Sequence, residues 1–235
     1  MSSWRPVLLI AGIAEGLGAS IAATFADAGY DVLGLARSRK AEAGVAGLVE
    51  KAGGTYTHLC CDLTEAADVA AALRPHAGGI RAAIHNAQRL LIKPLEQTDL
   101  AEFEDVWRVN CLGAVTVAQN VLPHMTAAGR GTIVLTGATA SRRGAAKFAA
   151  FASAKFALRG LAQSMAREYG PAGIHVAHVV IDSLVDEPQT EQRFGPATSR
   201  RMNPDAVARA YLNLIEQDSS CWTHELDLRP SSERF

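Results

Sequence analysis

The feature that most constrains this chain is an alternation along its whole length. Short, near-continuously apolar runs are separated by longer, alanine-rich stretches with helical patterning. The runs are Val7–Ala11, Tyr30–Ala36, Tyr56–Cys61, Ile80–His85, Thr132–Thr136, Ile174–Ile181 and Trp222–Leu228. Each has the length of a strand, and an apolar run without a polar face fits a strand covered on both sides. The helical stretches fall near 17–28, 40–52, 65–77, 98–127, 148–169 and 204–217. Thr64-Glu65 and Asn203-Pro204-Asp205 read as helix starts, and Gly29, Gly53-Gly54 and Gly78-Gly79 as helix ends. Strands that alternate with helices pair in parallel through right-handed crossovers. The expectation is an α/β fold with one doubly wound parallel sheet of about seven strands and helices on both faces. No linker, repeat or low-complexity tract breaks the pattern, so 1–235 reads as a single domain. Residues 183–203, rich in Pro, Gln, Arg and Ser, are the least regular and read as a substrate loop after the sixth strand.

Composition excludes several classes of function. A net charge of −1 gives no reason to expect nucleic acid or an anionic membrane as partner. No apolar run reaches the length of a membrane span, and the first residues do not read as a signal peptide. The cysteines Cys60, Cys61, Cys111 and Cys221 show neither a C-x-x-C nor a Cys/His ligand spacing. No metal site is therefore expected, and the usage fits a reducing, cytoplasmic setting.

The end of the first strand carries the first sign of a ligand. Ala11-Gly12-Ile13-Ala14-Glu15-Gly16-Leu17-Gly18 has the spacing G-x-x-x-G-x-G and leads into a helix. Glycines there permit a tight turn and let a pyrophosphate approach the backbone at the helix N-terminus. Gly12, Gly16, Leu17 and Gly18 are the candidates for that contact. The second strand ends in Arg37-Ser38-Arg39, with no acid until Glu42. An acid at this place would hold a ribose 2′-hydroxyl, whereas cations suit a 2′-phosphate, so NADP(H) is favoured over NAD(H). Glu15 argues the other way, because its carboxylate could repel that phosphate. Asp62 and Leu63 follow the third strand, and Asp62 could cap a helix or meet an adenine amino group. Asn86 and Ala87 follow the fourth strand, at the sheet edge where ligands bind.

With these pieces in order, the chain resembles the short-chain dehydrogenase/reductase family over nearly its whole length. The residues that carry the resemblance are Gly12/Gly16/Gly18, Asp62, Asn86-Ala87, Val109-Asn110, the strand 132–136 and Lys155. The resemblance implies a Rossmann fold, a nicotinamide cofactor, a small-molecule substrate and a homodimer or homotetramer. The helices near 98–127 and 148–169 would then supply the main subunit contact. It also implies four catalytic residue types: a tyrosine acid/base, a lysine four positions later that binds ribose, a serine thirteen positions before the tyrosine, and an asparagine that holds a relay water.

Here the pattern breaks. Lys155 and Asn110 match, but the tyrosine position is Phe151 and the serine position is Ala138. Gln88 replaces the usual glycine after Asn86-Ala87, and Asp182-Ser183 stands where proline-glycine is usual. A positioned general acid is worth about 10²–10⁴-fold and an oxyanion donor about 10²–10³-fold, so ordinary ketone reduction should be badly impaired. Thr139, Ser141, Lys155 and His85 are the groups that could substitute. Each also has a plain reading: a loop hydroxyl bonded to its backbone, a turn cap, a ribose ligand, and a strand-end histidine bonded to neighbouring backbone. Asn110 could equally be a residue of a helix bend. Acceptors that need no proton at the reacting atom, such as an imine, a quinone or a conjugated system, would avoid the difficulty. The alternatives are a catalytically silent nucleotide-binding sensor or scaffold, or a non-redox lyase or isomerase in the same pocket.

Overall fold

The computed structural model of the chain describes residues 5–196 and 200–232. Seven strands form one sheet: β1 (Val7–Ala11), β2 (Asp31–Ala36), β3 (Tyr56–Cys60), β4 (Ile80–His85), β5 (Gly131–Ala138), β6 (Ile174–Ile181) and β7 (Glu225–Leu228). Their order is β3-β2-β1-β4-β5-β6-β7, and each neighbouring pair is parallel. The helices are α1 (Leu17–Asp27), α2 (Glu42–Lys51), α3 (Ala66–Leu73), α4 (Leu100–Trp107), α5 (Gly113–Ala127), α6 (Ala149–Tyr169), α7 (Pro188–Phe194) and α8 (Pro204–Ile215).

The period of two along each strand sorts the apolar residues onto two faces. Leu8, Ile10, Val32, Val134 and Val179 join Ile21, Phe25 and Tyr211 in one buried cluster, beneath α1 and α8. Leu9, Leu33, Leu35, Ala83 and Leu135 join Val117, Val121 and Leu158 in the other, beneath α5 and α6. This is the two-sided burial that the unbroken apolar runs required of the inner strands, whereas β3 and β7 are only partly buried because they lie at the two edges of the sheet. The strand order reverses between β1 and β4, and that reversal opens a crevice at the carboxyl ends of the strands.

Three local expectations are corrected. The helix expected over 65–77 is α3, which stops at Leu73, because Pro75 has no N–H to continue the ladder. The single helix expected over 98–127 is two helices joined by a π-helical turn, Arg108–Leu112. There Asn110 Nδ2 donates to the Val106 carbonyl four residues back, at 2.8 Å, and to the Arg89 carbonyl at 2.9 Å. The stretch 183–203 is not irregular throughout. It contains α7, opened by Pro188 and closed by Gly195 at φ +83°, and Val185 forms a bridge with Met202. Residues 197–199 of that stretch lie outside the described residues.

Candidate functional site

The glycine turn is built by backbone bonds across the crevice. Gly12 and Ile13 donate to the Leu35 carbonyl at 2.9 and 3.0 Å, and Asn86 and Ala87 donate to the Ala11 carbonyl at 2.8 and 2.9 Å. Gly12 has φ +91°, and a Cβ there would come within 2.4 Å of the Ala87 backbone. Only glycine combines that conformation with that approach. Asn86 adds a side-chain bond to the Gly12 carbonyl at 3.4 Å. Beside this turn lies an open cleft of about 400 Å³. Gly12, Gly18, Arg37, Ser38, Asp62, Leu63, Asn86 and Ala87 all line it, so the structure brings together the residues that the sequence scattered over four loops.

The rim of the cleft has its own order. Arg39 is tied to Glu42 at 2.6 Å and does not line the cleft, whereas Arg37, Ser38 and Lys40 do. Tyr56 Oη meets His58 Nδ1 at 2.8 Å, and His58 Nε2 reaches the Ser38 carbonyl at 3.1 Å. This chain fixes the Ser38 peptide from beneath. Asp62 accepts from both the backbone and the hydroxyl of Thr64, at 2.9 and 2.8 Å. Those bonds, with Arg37 and Arg108 nearby, outweigh burial and hold its carboxyl below the usual range.

At the other end Phe151 is buried among Leu90, Leu91, Phe103, Val106, Ala138 and Phe148. Lys155, one helical turn on, is 1% exposed. Its Nζ lies 5.6 Å from the centre of the Phe151 ring and donates to the Thr136 carbonyl at 2.9 Å. Burial without a carboxylate partner lowers its pKa to about 7. The shared helix face expected for Phe151 and Lys155 is therefore present, yet neither residue lines the cleft among the described residues.

The groups considered as replacement proton donors have other employment. Thr139 donates to Asp182 Oδ1 at 2.5 Å, so its hydroxyl is committed to a carboxylate rather than to its own backbone. Ala138 donates its N–H to Ser141 Oγ at 3.1 Å, which makes Ser141 a fully buried turn cap. His85 is 2% exposed, neither ring nitrogen has a hydrogen-bond partner, and burial drives its pKa to about 3. The backbone neighbours expected of His85 are in place, since Val109 and Asn110 backbone groups raise its pKa against burial, although neither makes a well-aligned hydrogen bond to the ring. Asn110 lies in the π-helical turn with its Nδ2 donating twice, while its buried Oδ1 has no partner.

A family profile described as short chain dehydrogenase matches residues 6–191. The chain belongs to the short-chain dehydrogenase family. It is 32% identical over 222 residues to the 3-alpha-(or 20-beta)-hydroxysteroid dehydrogenase of Mycobacterium tuberculosis, covering 91% of this chain and 84% of that protein. A short-chain dehydrogenase from Rhodopseudomonas palustris has a similar solved structure, with 35% identity, a TM-score of 0.83, and coverage of 96% of this chain and 98% of that one. A metagenomic short-chain oxidoreductase solved in complex with NADP superposes at TM-score 0.83, with 26% identity and coverage of 96% and 97%. Among the described residues no helix is long and apolar enough to cross a membrane, and no cluster of His, Cys, Asp and Glu could hold a metal ion.

The short-chain dehydrogenase family binds NAD(P), and most of this cleft fits such a group. The close approach at Gly12 and the cations at Arg37 and Lys40 suit the adenosine half. The seat for the pyrophosphate does not stand open. The Glu187 carboxylate accepts the Leu17 N–H at 3.1 Å, directly over Gly16. Sequence reading missed Glu187 because nothing local distinguishes an acid before a proline in a loop. It also missed the Tyr56–His58–Ser38 chain, whose last link joins residues 20 apart on neighbouring loops and strands.

Proposed function

We propose that this chain is an NADP(H)-binding oxidoreductase whose hydride acceptor needs no proton from a tyrosine. A bound nicotinamide would supply the hydride. Gly12, Gly16, Leu17, Gly18, Asp62, Leu63, Asn86, Ala87 and Lys155 would hold the nucleotide, and Arg37 with Ser38 and Lys40 would meet a 2′-phosphate. The observation that carries this reading is a cationic rim joined to a built glycine turn, set beside a reaction end whose one buried cation faces a phenyl ring. Lys155 would orient the ribose, and its amine lies 5.6 Å from the centre of the Phe151 ring. Phe151 would keep water from the reacting carbon. An iminium that takes up hydride becomes a neutral amine, and a quinone or conjugated acceptor spreads the charge it gains, so neither requires an acid at the reacting atom. Such an acceptor would be a small molecule. The family relationship supports a homodimer or homotetramer, and the cysteine usage supports the cytoplasm.

The test has two stages. NADPH and NADH are titrated by fluorescence, and reduced-nicotinamide absorbance is then followed with ketone, imine, enone and quinone panels. Tighter binding of NADPH, with turnover confined to imine, enone or quinone acceptors, is the expected result. Fast reduction of simple ketones that survives Lys155→Ala would sink the proposal. The silent nucleotide-binding alternative is favoured by the closed apolar surroundings of Phe151, and nucleotide binding without turnover on any panel would select it.

A further inference from the structure

The N-terminus of α1 is where a dinucleotide's pyrophosphate must meet the glycine turn, and that place already holds an anion. Glu187 Oε2 accepts the Leu17 N–H at 3.1 Å. A Cβ on Gly16, whose φ is +86°, would lie 2.4 Å from that oxygen and 2.5 Å from the Glu187 Cβ, so the side chain is seated in the hollow that glycine leaves. α1 has no side-chain cap of its own and no acid in its first turn. Glu187 therefore supplies, from 170 residues away, the negative group that a helix N-terminus favours. It does so although it occupies the N-cap position of α7, where its side chain makes no capping bond.

The segment carrying Glu187 is anchored on both sides of it. Before it, the Asp186 N–H donates to the Met202 carbonyl at 2.8 Å, and Met202 donates back to the Leu184 carbonyl at 2.8 Å. After it, Arg193 Nη1 reaches the Leu90 carbonyl at 3.2 Å. Burial is the leading influence on the Glu187 carboxyl and raises its pKa, while the bonds from Leu17 and Thr190 work against that. Among the described residues no charged side chain offsets it.

We propose that Glu187 is an affinity-determining latch: its carboxylate occupies the pyrophosphate seat at the α1 N-terminus, and a dinucleotide binds only by displacing it. This rests on the nucleotide-binding reading above. Two anions cannot share the Leu17 N–H, and at neutral pH a pyrophosphate meets both a lost donor and a like charge. The latch also gives α7 two positions, one seated over Gly16 and one released by the cofactor.

The experiment titrates NADPH into the native chain and into Glu187→Gln and Glu187→Ala, after thermal melts have established that each is folded. A hydrogen bond to a charged group together with like-charge repulsion corresponds to about 10–100-fold in affinity. Both variants are expected to bind NADPH tighter than the native chain by about that factor, with Glu187→Ala showing that the gain does not need the amide. NADPH binding by the native chain, with equal or weaker binding in both folded variants, would overturn the latch and leave the nucleotide reading standing. Absence of NADPH binding in all three proteins would overturn both.

Discussion

The two ends of the crevice differ in how they treat polar groups. At the β1–β3 end, Gly12, Arg37, Ser38 and Asp62 face an open cleft, and polar atoms beneath them are paired, as in the Tyr56–His58–Ser38 chain. At the β5–α6 end the surroundings are apolar and closed. Phe151 is packed among hydrophobic side chains, Lys155 has no carboxylate partner, the Asn110 side-chain oxygen has no hydrogen-bond partner, and His85 and His178 are buried within electrostatic reach of Lys155. A buried polar group without a partner costs stability, so it persists where function or a bound ligand offsets the cost. The lesson is that this fold can keep one end of the crevice open and polar while the other end, around Phe151, is packed as core.

Restoring the missing groups breaks the contrast most severely. Phe151→Tyr combined with Ala138→Ser should raise ketone reduction by about 10²–10⁴-fold over a near-background native rate. The 5.6 Å between Lys155 Nζ and the ring centre leaves room for a phenol oxygen to approach the amine. Unchanged ketone kinetics in a folded double variant would show that the two ends differ in backbone geometry as well as in side chains.

The open end is broken by filling its turn. Gly12→Val forces a Cβ to within 2.4 Å of the Ala87 backbone at φ +91°, and should lower stability by about 3–5 kcal/mol. Gly16→Ala should cost less, about 1–2 kcal/mol, because the Glu187 atoms its Cβ would meet move away together if the loop carrying Glu187 shifts, whereas the Ala87 backbone is held at the sheet edge. Chemical denaturation of the two variants compares them directly, and equal losses would contradict the assignment of Gly12 to a backbone contact.

The closed end is sharpened by removing its charge. Burial lowers the Lys155 pKa from 10.5 to about 7. Between those values the unfolded chain holds a proton that the folded chain does not, so this group makes stability rise with pH over that window. Below about pH 7 the penalty is at its full size. Lys155→Met should therefore stabilise the protein by about 2–4 kcal/mol at neutral pH, with the gain shrinking toward pH 10. Denaturation midpoints for the two proteins at several pH values check this, and a gain that grows with pH would reverse the reasoning.

The smallest effect lies at the cationic rim. Arg37→Ala should weaken NADPH by about 1–2 kcal/mol and leave NADH nearly untouched, because only the former carries the 2′-phosphate. Arg39→Ala should change neither, since that guanidinium is spent on Glu42. Isothermal titration of the four combinations separates the two arginines, and equal losses for NADPH and NADH would place Arg37 elsewhere in the cleft.

Much of the fold was legible because burial on both faces leaves a local trace. β1, β4 and β6 fall where their apolar runs do, and Asn203 caps α8 by accepting from Ala206 at 3.0 Å. The break at Arg108–Leu112 left only the helix-bend reading of Asn110, since a π-helical turn otherwise keeps the same residue types as the helix around it. Thr139 read as a loop hydroxyl bonded to its own backbone because its partner Asp182, just after β6, is 43 residues away. Glu187 was invisible for the same reason, being 170 residues from the N–H it accepts.

The sequence by itself determined the doubly wound sheet, the glycine turn after β1, the cationic end of β2, and the presence of Phe151 and Ala138 where the family resemblance leads one to expect tyrosine and serine. These follow from periodicity, from residue type and from spacing, all of which are local. Tertiary structure alone decided that Arg37 faces the cleft while Arg39 does not, that Lys155 lies beneath a phenyl ring without a counter-charge, and that Glu187 occupies the head of α1. Those outcomes depend on which distant side chains share a few ångströms of space, and hydrogen bonds and desolvation act only at that range.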